Sequence, residues 1–365
     1  MNEKIKALIA IGGTGGHVFP GYNLANHLVE RNYSVELISD NRGNKYLEKI
    51  SNFKTFIMPS SPLVRKNFFS VILSLTLIFY SIFRSLILLF FNRPKIIFGM
   101  GGYASFPICI AAYILRIKFV TYENNLIIGK ANKYLLPFCE KMFVSRIELE
   151  GIPIKYKNKV VEIGNIIKKE IIEFSKKNSK DTDKKKITIL VLGGSQAAQV
   201  FAKILPSIFK KCSSLGIPLK IYQHCLPSQN NDLRLFYEKN NIEFETFNFS
   251  NNLIHYFSKV NFAITRSGSS ILAELCNSNI PFVSIPLPSS ADNHQLKNAM
   301  FYQKKNLAYL IEEKDLNDKL LYLIKEIYED SSKLKKKIKN LSQFSDKKVY
   351  ENINKELEKI ADEKN

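Results

Sequence analysis

Cysteine is scarce in this 365-residue chain, and its five copies, Cys109, Cys139, Cys212, Cys225 and Cys276, are scattered. No two stand in a CxxC spacing, which argues against a zinc site or a disulfide framework and suits a reducing cytoplasm. Acidic residues are also in short supply: 33 Asp and Glu face 53 Lys and Arg, a formal charge of +20. Such a chain is drawn to something anionic, whether nucleic acid, phospholipid or a phosphorylated substrate. A Lys-, Asn- and Ile-rich composition also follows from an AT-biased genome, so charge alone selects none of the three. Interleaved aromatic and basic motifs of the kind nucleic-acid modules use are missing, which sets that class aside. The only DxD pair, Asp181 and Asp183, lies in a Lys-rich stretch instead of at a strand end, so neither metal ligands nor a cofactor are expected. The opening MNEKIKALIAIGG lacks a cleavage pattern and runs straight into a glycine loop. It reads as a first buried strand and not as a signal peptide.

What is present is a globular composition, 45% apolar and 24% charged, in a chain long enough for two domains of about 150 to 200 residues. Strand-like runs at 6–11, 34–39, 95–98, 118–122 and 141–144 alternate with helical stretches, the signature of βα units on a parallel sheet. SKKNSKDTDKKK, residues 175–186, has no periodicity and reads as a linker. The alternation restarts at 187–194 and continues through 219–223, 243–247, 261–265 and 282–285. The chain thus divides into a first domain over 1–174, the linker, a second domain over 187–342, and a C-terminal helix over 343–365. Val349, Ile353, Leu357 and Ile360 give that helix one narrow apolar face, with which it can pack back on the first domain.

Residues 68–91, FFSVILSLTLIFYSIFRSLILLFF, are long and apolar enough to cross a membrane, interrupted only by Arg84. Strands on both sides belong to one sheet, so a spanning helix would split the domain. Two readings are left. Either the segment is a helix buried in the domain, or it lies on an anionic membrane with Arg65, Lys66, Arg93 and Lys95 at its flanks.

The chemistry concentrates in glycine loops. GGTGGHVFPG, 12–21, follows the first strand and precedes a helical stretch at 22–30; its glycines allow a sharp turn and close approach of an oxyanion to a helix N-terminus. A dinucleotide fingerprint, with Asp40 as the ribose acid, is one reading, but Val18 stands where the third small residue belongs. Pro20 is tolerated in a first helical turn. His17 sits where the helix dipole disfavours an imidazolium, so its ring can accept a proton as a general base. A lone histidine is more often structural; four loop glycines around this one point to function.

GMGGYASFP, 99–107, repeats the design on the same sheet edge, and Glu123, Asn124 and Asn125 fall just past a further strand. Those three could equally be ordinary turn polars. In the second half LGGSQAAQ, 192–199, forms another glycine turn, and Ser267, Gly268, Ser269 and Ser270 open a helix whose hydroxyls and N–H groups suit a pyrophosphate. Glu274 is placed to accept from ribose hydroxyls. Asp292, Asn293, His294 and Gln295 suit sugar hydroxyls. Without a metal, leaving-group charge would fall to helix dipoles and backbone donors.

Taken together, GGTGGHVFPG, GMGGYASFP, ENN, GGSQ, RSGSSILAE and DNHQLKNA resemble, in order and spacing, the MurG family of bacterial transferases over nearly the whole chain. The resemblance implies an α/β GT-B fold, two Rossmann-like domains facing each other across a cleft. It implies inverting transfer of N-acetylglucosamine from UDP-GlcNAc to the 4-hydroxyl of N-acetylmuramic acid in lipid I, giving lipid II for peptidoglycan synthesis. By the same likeness His17 is the base, and Thr14, Gly15 and Gly16 line the cleft on the donor. Asn125 contacts the sugar and Lys168 stands at a donor-side basic position. Ser195 and the turn of Ser269, Ser270, Ile271, Leu272 and Ala273 face the pyrophosphate. Glu274 meets the ribose, Gln295 the GlcNAc hydroxyls, and backbone near Ser250 the uracil. Gly101, Gly102, Tyr103 and Ser105 face the acceptor. Expected partners are UDP-GlcNAc, lipid I, an anionic membrane surface on the cytoplasmic side and other cell-wall synthesis proteins, with no nucleic acid. Departures from the family pattern are GNIIK for GNPVR at 164–168, ENN for EQN at 123–125, and Ala197 for a glycine. The first costs a planar bidentate contact. A glycolipid synthase with another lipid acceptor, and a dinucleotide-dependent oxidoreductase, are the alternative readings.

Overall fold

The computed structural model describes residues 4–61, 68–177, 186–193, 195–248 and 252–362. The chain forms two compact units, Met1–Lys168 with Lys347–Asn365, and Lys169–Asp346.

In the first unit the order is β1 (Ile5–Ala10), α1 (Gly15–Glu30), β2 (Tyr33–Ser39), α2 (Asn41–Leu47), β3 (Thr55–Ile57), α3 (Phe68–Phe91), β4 (Ile96–Gly99), α4 (Gly102–Ile114), β5 (Phe119–Glu123), α5 (Lys130–Leu135), β6 (Met142–Val144) and β7 (Val160–Glu162). These make one seven-stranded sheet, β3-β2-β1-β4-β5-β6-β7, in which every pairing is parallel. β1 and β4 to β6 are buried almost throughout, as continuous apolar strands between helical layers must be. Strand order reverses between β1 and β4, so the loops after these two strands flank the crevice where open α/β sheets take ligands.

The second unit starts with α6 (Lys169–Lys177) and runs β8 (Ile187–Leu192), α7 (Ser195–Ser214), β9 (Leu219–His224), α8 (Asn230–Lys239), β10 (Glu243–Phe247), α9 (Ile254–Phe257), β11 (Phe262–Arg266), α10 (Ser269–Asn277), β12 (Phe282–Ile285), α11 (His294–Lys304), β13 (Tyr309–Leu310), α12 (Leu316–Glu329) and α13 (Ser332–Gln343). Its six strands order β10-β9-β8-β11-β12-β13, again all parallel. The switch point falls between β8 and β11. Ile189, Val191, Ile264 and Val283 pack with Phe201, Leu205 and Phe209 of α7 and Leu320 and Ile324 of α12 in one core.

The division at 168/169 lies upstream of the expected linker because α6 packs against α10 and so joins the second unit. Residues 178–185, with Asp181 and Asp183, lie outside the described part, as do Arg65 and Lys66. The last helix, α14 (Val349–Asp362), belongs to the first unit. Val349, Ile353, Leu357 and Ile360 are its buried face. Lys118 donates to the Ile360 carbonyl at 2.7 Å, His27 Nε2 meets Asn354 Oδ1 at 2.8 Å, and the Tyr350 hydroxyl donates to the Ile167 carbonyl at 2.6 Å.

α3 is built inside out. Its buried residues are Ser74, Ser81, Ser85 and Leu89, at helical spacing, while Phe69, Phe79, Phe83 and Phe90 are 81%, 68%, 62% and 70% exposed. The Ser81 hydroxyl donates to the Pro59 carbonyl at 2.6 Å and that of Ser74 meets Ser61 at 3.3 Å. Small residues let the helix lie close to its domain, and the large apolar side chains are turned away from it. Only 17% of its most apolar window is buried, which excludes the reading as a core helix. Since β3 and β4 on either side belong to one sheet, α3 does not leave the domain. All five cysteines are buried and unbridged. Burial pushes the Cys212 thiol up to about 12 and that of Cys109 higher still, which keeps both inert.

Candidate active site

In the first unit, the loop after β1 turns at Gly13 (φ +80) and enters α1 through Thr14, an extended N-cap whose side chain makes no capping bond. α1 begins at Gly15, earlier than the expected 22, so Gly15, Gly16 and half-buried His17 form its first turn. The loop after β4 turns at Gly101 and Gly102, with φ +84 and +72. A Cβ on Gly101 would stand 3.0 Å from both Cε1 and Nδ1 of His17, and one on Gly102 3.2 Å from its Cδ2. The imidazole therefore rests on the bare backbone of the second glycine loop. The two motifs that flank the switch point meet at His17.

Pro20 is the sixth residue of α1 and not part of its first turn. Having no N–H, it leaves the Gly16 carbonyl without its helical donor. Buried Asn124 fills the gap, donating through Nδ2 to Gly16 O at 2.7 Å. This ties the β5 loop to the helix start that carries His17. Glu123 is also consumed by structure: its carboxylate accepts from Asn125 N (3.1 Å), Asn125 Nδ2 (3.0 Å), Gly129 N (2.9 Å) and Asn132 Nδ2 (3.0 Å). Asn125 is thus held by its amide nitrogen. Ser105 departs from the expected acceptor contact: it is fully buried and its hydroxyl donates to the Gly102 carbonyl at 3.0 Å, shaping the glycine loop instead. Tyr103 beside it is half-buried. Lys168, also half-buried, follows a segment anchored by Tyr122, whose hydroxyl accepts from Ile166 N at 3.1 Å and donates to Gly164 O at 3.3 Å.

Asp40 is not a ribose acid. It is 3% exposed and accepts from Gly13 N (2.9 Å), Gly43 N (2.8 Å) and the Ser60 hydroxyl (2.7 Å), with Arg42 at 3.3 Å. This removes one of the two features on which the oxidoreductase reading rested, the other being the first glycine loop. Burial alone would raise its pKa, but these donors and Arg42 outweigh that and hold it below the usual value. A depressed carboxylate stabilises the fold above its unfolded pKa, and that stability is lost as pH falls through the folded value. The stability of wild type against urea should therefore fall below about pH 4. Asp40→Asn should lack that component and lose about 1–3 kcal/mol at neutral pH.

In the second unit, β8 delivers Gly193 to the N-terminus of α7, where Ser195 is the first helical residue; its side chain, like Ser250, lies outside the described residues. β11 ends at Arg266, which is 6% exposed, pairs with Glu313, and donates to the carbonyls of Ile285 (3.4 Å) and Pro286 (3.2 Å). Ser267 is not available to a phosphate. Its hydroxyl is 2.6 Å from that of Ser284, its N–H goes to Gln295 Oε1 at 3.2 Å, and its carbonyl accepts from Asn298 Nδ2 at 3.1 Å. α10 then starts at Ser269 with Gly268 as N-cap. Ser269, Ser270 and Ile271 form its first turn, where helix geometry points backbone N–H groups out of the helix start. Leu272 and Ala273 differ from expectation: both are 0% exposed, and Leu272 N already bonds Gly268 O at 3.1 Å. Their side chains belong to the core. Glu274 is half-buried one turn further.

Of DNHQ, Gln295 reaches the loop. Asp292 and Asn293 supply left-handed backbone (φ 51 and 54), and His294 Nδ1 lies 2.8 Å from the Ala291 carbonyl. Gln295 Oε1 also accepts from Leu287 N at 3.0 Å, so this side chain links the loops after β11 and β12. Arg266, Ser284 and Asn298 were not singled out from sequence; only the arginine next to the serine-glycine turn carried a signal. Among the described residues no group of His, Cys, Asp and Glu could hold a metal ion.

Two domain matches cover these features. The glycosyltransferase family 28 N-terminal domain matches residues 7–144 and the C-terminal domain of the same family matches 188–353. A Pelagibacter ubique protein named UDP-N-acetylglucosamine–N-acetylmuramyl-(pentapeptide) pyrophosphoryl-undecaprenol N-acetylglucosamine transferase is 35% identical, with 100% of each chain covered. A Rickettsia bellii protein of the same name is 31% identical over 96% of this chain and 94% of that one. The crystal structure of Acinetobacter baumannii MurG superposes with a TM-score of 0.77 at 20% identity, covering 97% and 99% of the two chains. This chain belongs to the MurG family, within glycosyltransferase family 28. Its two parallel-sheet units are those of the GT-B fold, and it is a UDP-sugar glycosyltransferase. The family's first-domain and second-domain motifs correspond to the two switch-point edges described above.

Proposed function

We propose that this MurG-family enzyme moves N-acetylglucosamine from UDP-N-acetylglucosamine to the 4-hydroxyl of N-acetylmuramic acid in lipid I, forming lipid II. The observation that carries the reading is the seat of His17 in the first helical turn of α1, its ring laid on Gly101 and Gly102. His17 takes the proton of the acceptor hydroxyl; the oxygen attacks the anomeric carbon, whose bond to the diphosphate breaks, and UDP leaves. Attack from the opposite face inverts the anomeric centre. Helix-start N–H groups, from Thr14 to Gly16 in one unit and from Ser269 to Ile271 in the other, suit the diphosphates. Glu274 is assigned to the ribose and the Gln295 amide to the sugar. Lipid I and diacylglycerol offered together with labelled UDP-N-acetylglucosamine test the acceptor. Label on lipid I is expected; label on diacylglycerol would replace this reading with the glycolipid one.

The enzyme works as a peripheral protein on the cytoplasmic membrane face, seated by α3. Burying one large apolar side chain yields about 1.5–3 kcal/mol. Phe79→Ser with Phe83→Ser should therefore weaken sedimentation with phosphatidylglycerol vesicles by roughly 100-fold. Transfer to a water-soluble short-chain acceptor should be kept. Unchanged vesicle binding would contradict this seat.

A further inference from the structure

The outer edge of the second unit's sheet carries an open pocket of about 660 Å³, away from the switch-point loops and within the size range of small-molecule sites. The edge strand β13 lines it and, among the described residues, pairs with β12 alone. Ile311 N donates to Ser284 O at 3.2 Å, and the register opposite Leu310 then turns Leu310's own N–H and C=O outward. Tyr309 and Tyr322 line the pocket as aromatic walls, and Gln303 and Asn306 add amides.

Lys337, 7% exposed, is among the pocket's lining residues. Its ammonium donates to Asn306 Oδ1 at 2.6 Å and to the Ala308 carbonyl at 3.2 Å, and stands 4.6 Å from the centre of the Tyr309 ring. Both acceptors are neutral, and an ammonium has three hydrogens to donate. Among the described residues no carboxylate forms an ion pair with it. Burial, helped by the like charge of Lys336, pushes its pKa down to about 8. The neighbouring cations are spoken for, Lys319 by Asp315 at 2.7 Å and Lys333 by Glu326 at 2.8 Å. Asp318 stands exposed on the rim and forms no ion pair with Lys337. A buried charge is ordinarily paired, and one that lines a cavity without an ion-pair partner is a candidate binding group.

We propose that this pocket binds a small organic anion, a carboxylate or phosphate carried on a flat apolar body, with Lys337 as its charge partner and the two tyrosines flanking the body. The roles assigned to His17 and the donor loops are independent of it. The test uses the full chain with phenyl phosphate, benzoate and, as the uncharged control, benzyl alcohol, followed by thermal shift and titration calorimetry with and without saturating UDP. Phenyl phosphate and benzoate should raise Tm saturably, benzyl alcohol should not, and UDP should leave the effect in place. Lys337→Met keeps the stem over Tyr309 and should weaken binding about tenfold or more, the size of one charge-assisted hydrogen bond. Tyr322→Ala, at an exposed position, should weaken it without unfolding risk. The proposal is overturned by no saturable shift with either anion, by equal affinity in both variants, or by displacement with UDP.

Discussion

Replacing His17 with Ala is expected to lower the transfer rate by roughly 10² to 10⁴-fold, the usual worth of a positioned general base. UDP affinity, measured by calorimetry, should change by less than about twofold, because the helix-start N–H groups do not depend on the side chain. The fold should survive as well. The start of α1 is secured by backbone bonds from His17 N and Val18 N to Thr14 O and by Asn124 on the Gly16 carbonyl, none of which uses the imidazole. A variant that kept its turnover would remove His17 from the chemistry. One that lost UDP binding along with turnover would make it a structural residue.

The second large effect should come from the glycine on which the His17 ring rests. Gly101→Ala places a methyl 3.0 Å from two ring atoms of His17 and 3.4 Å from Asn132 Nδ2, at a φ of +84. Left-handed backbone costs an alanine about 1–2 kcal/mol, and the ring must shift by a few tenths of an ångström. Misplacing a catalytic group in this way can cost about 100-fold in kcat. Gly216→Ala is the control, since it has φ +76 but nothing within 4 Å of the added carbon. It should lose similar stability and keep its activity. Equal kcat in the two variants would show that contact with His17 is unimportant.

Both effects were partly legible in the sequence. The glycine loops and His17 could be read because tight turns and helix starts leave a local signature, and parallel strands buried on both faces appear as unbroken apolar runs. β3, β7 and β13 left no such trace, since edge strands of two or three residues bury too little to show a pattern. The start of α1 was placed seven residues late because three glycines and a proline disguise a first turn that a distant asparagine completes. Asn124 pairs with Gly16 across 108 residues, a relation no local pattern encodes. Leu272, Ala273, Ser105 and Ser267 stood in motifs that suit ligands, yet burial gives them to the core and the loop frame. Asp40 shows the reverse hazard: an acid at a strand end in the right place for a ribose, already saturated by its own loop. The outward face of α3 was open between burial and membrane contact, because composition does not say which side of a helix is turned in. Its serines settle that only once their neighbours are known.

The most direct measurement is the linkage of the product made from purified chain, lipid I and UDP-N-acetylglucosamine, read from the proton coupling at the new anomeric centre. The donor sugar is α-linked to its diphosphate, so a single displacement with His17 as base predicts a β-linkage to O4 of N-acetylmuramic acid. An α-linkage, attachment at another hydroxyl, or no disaccharide at all would contradict it.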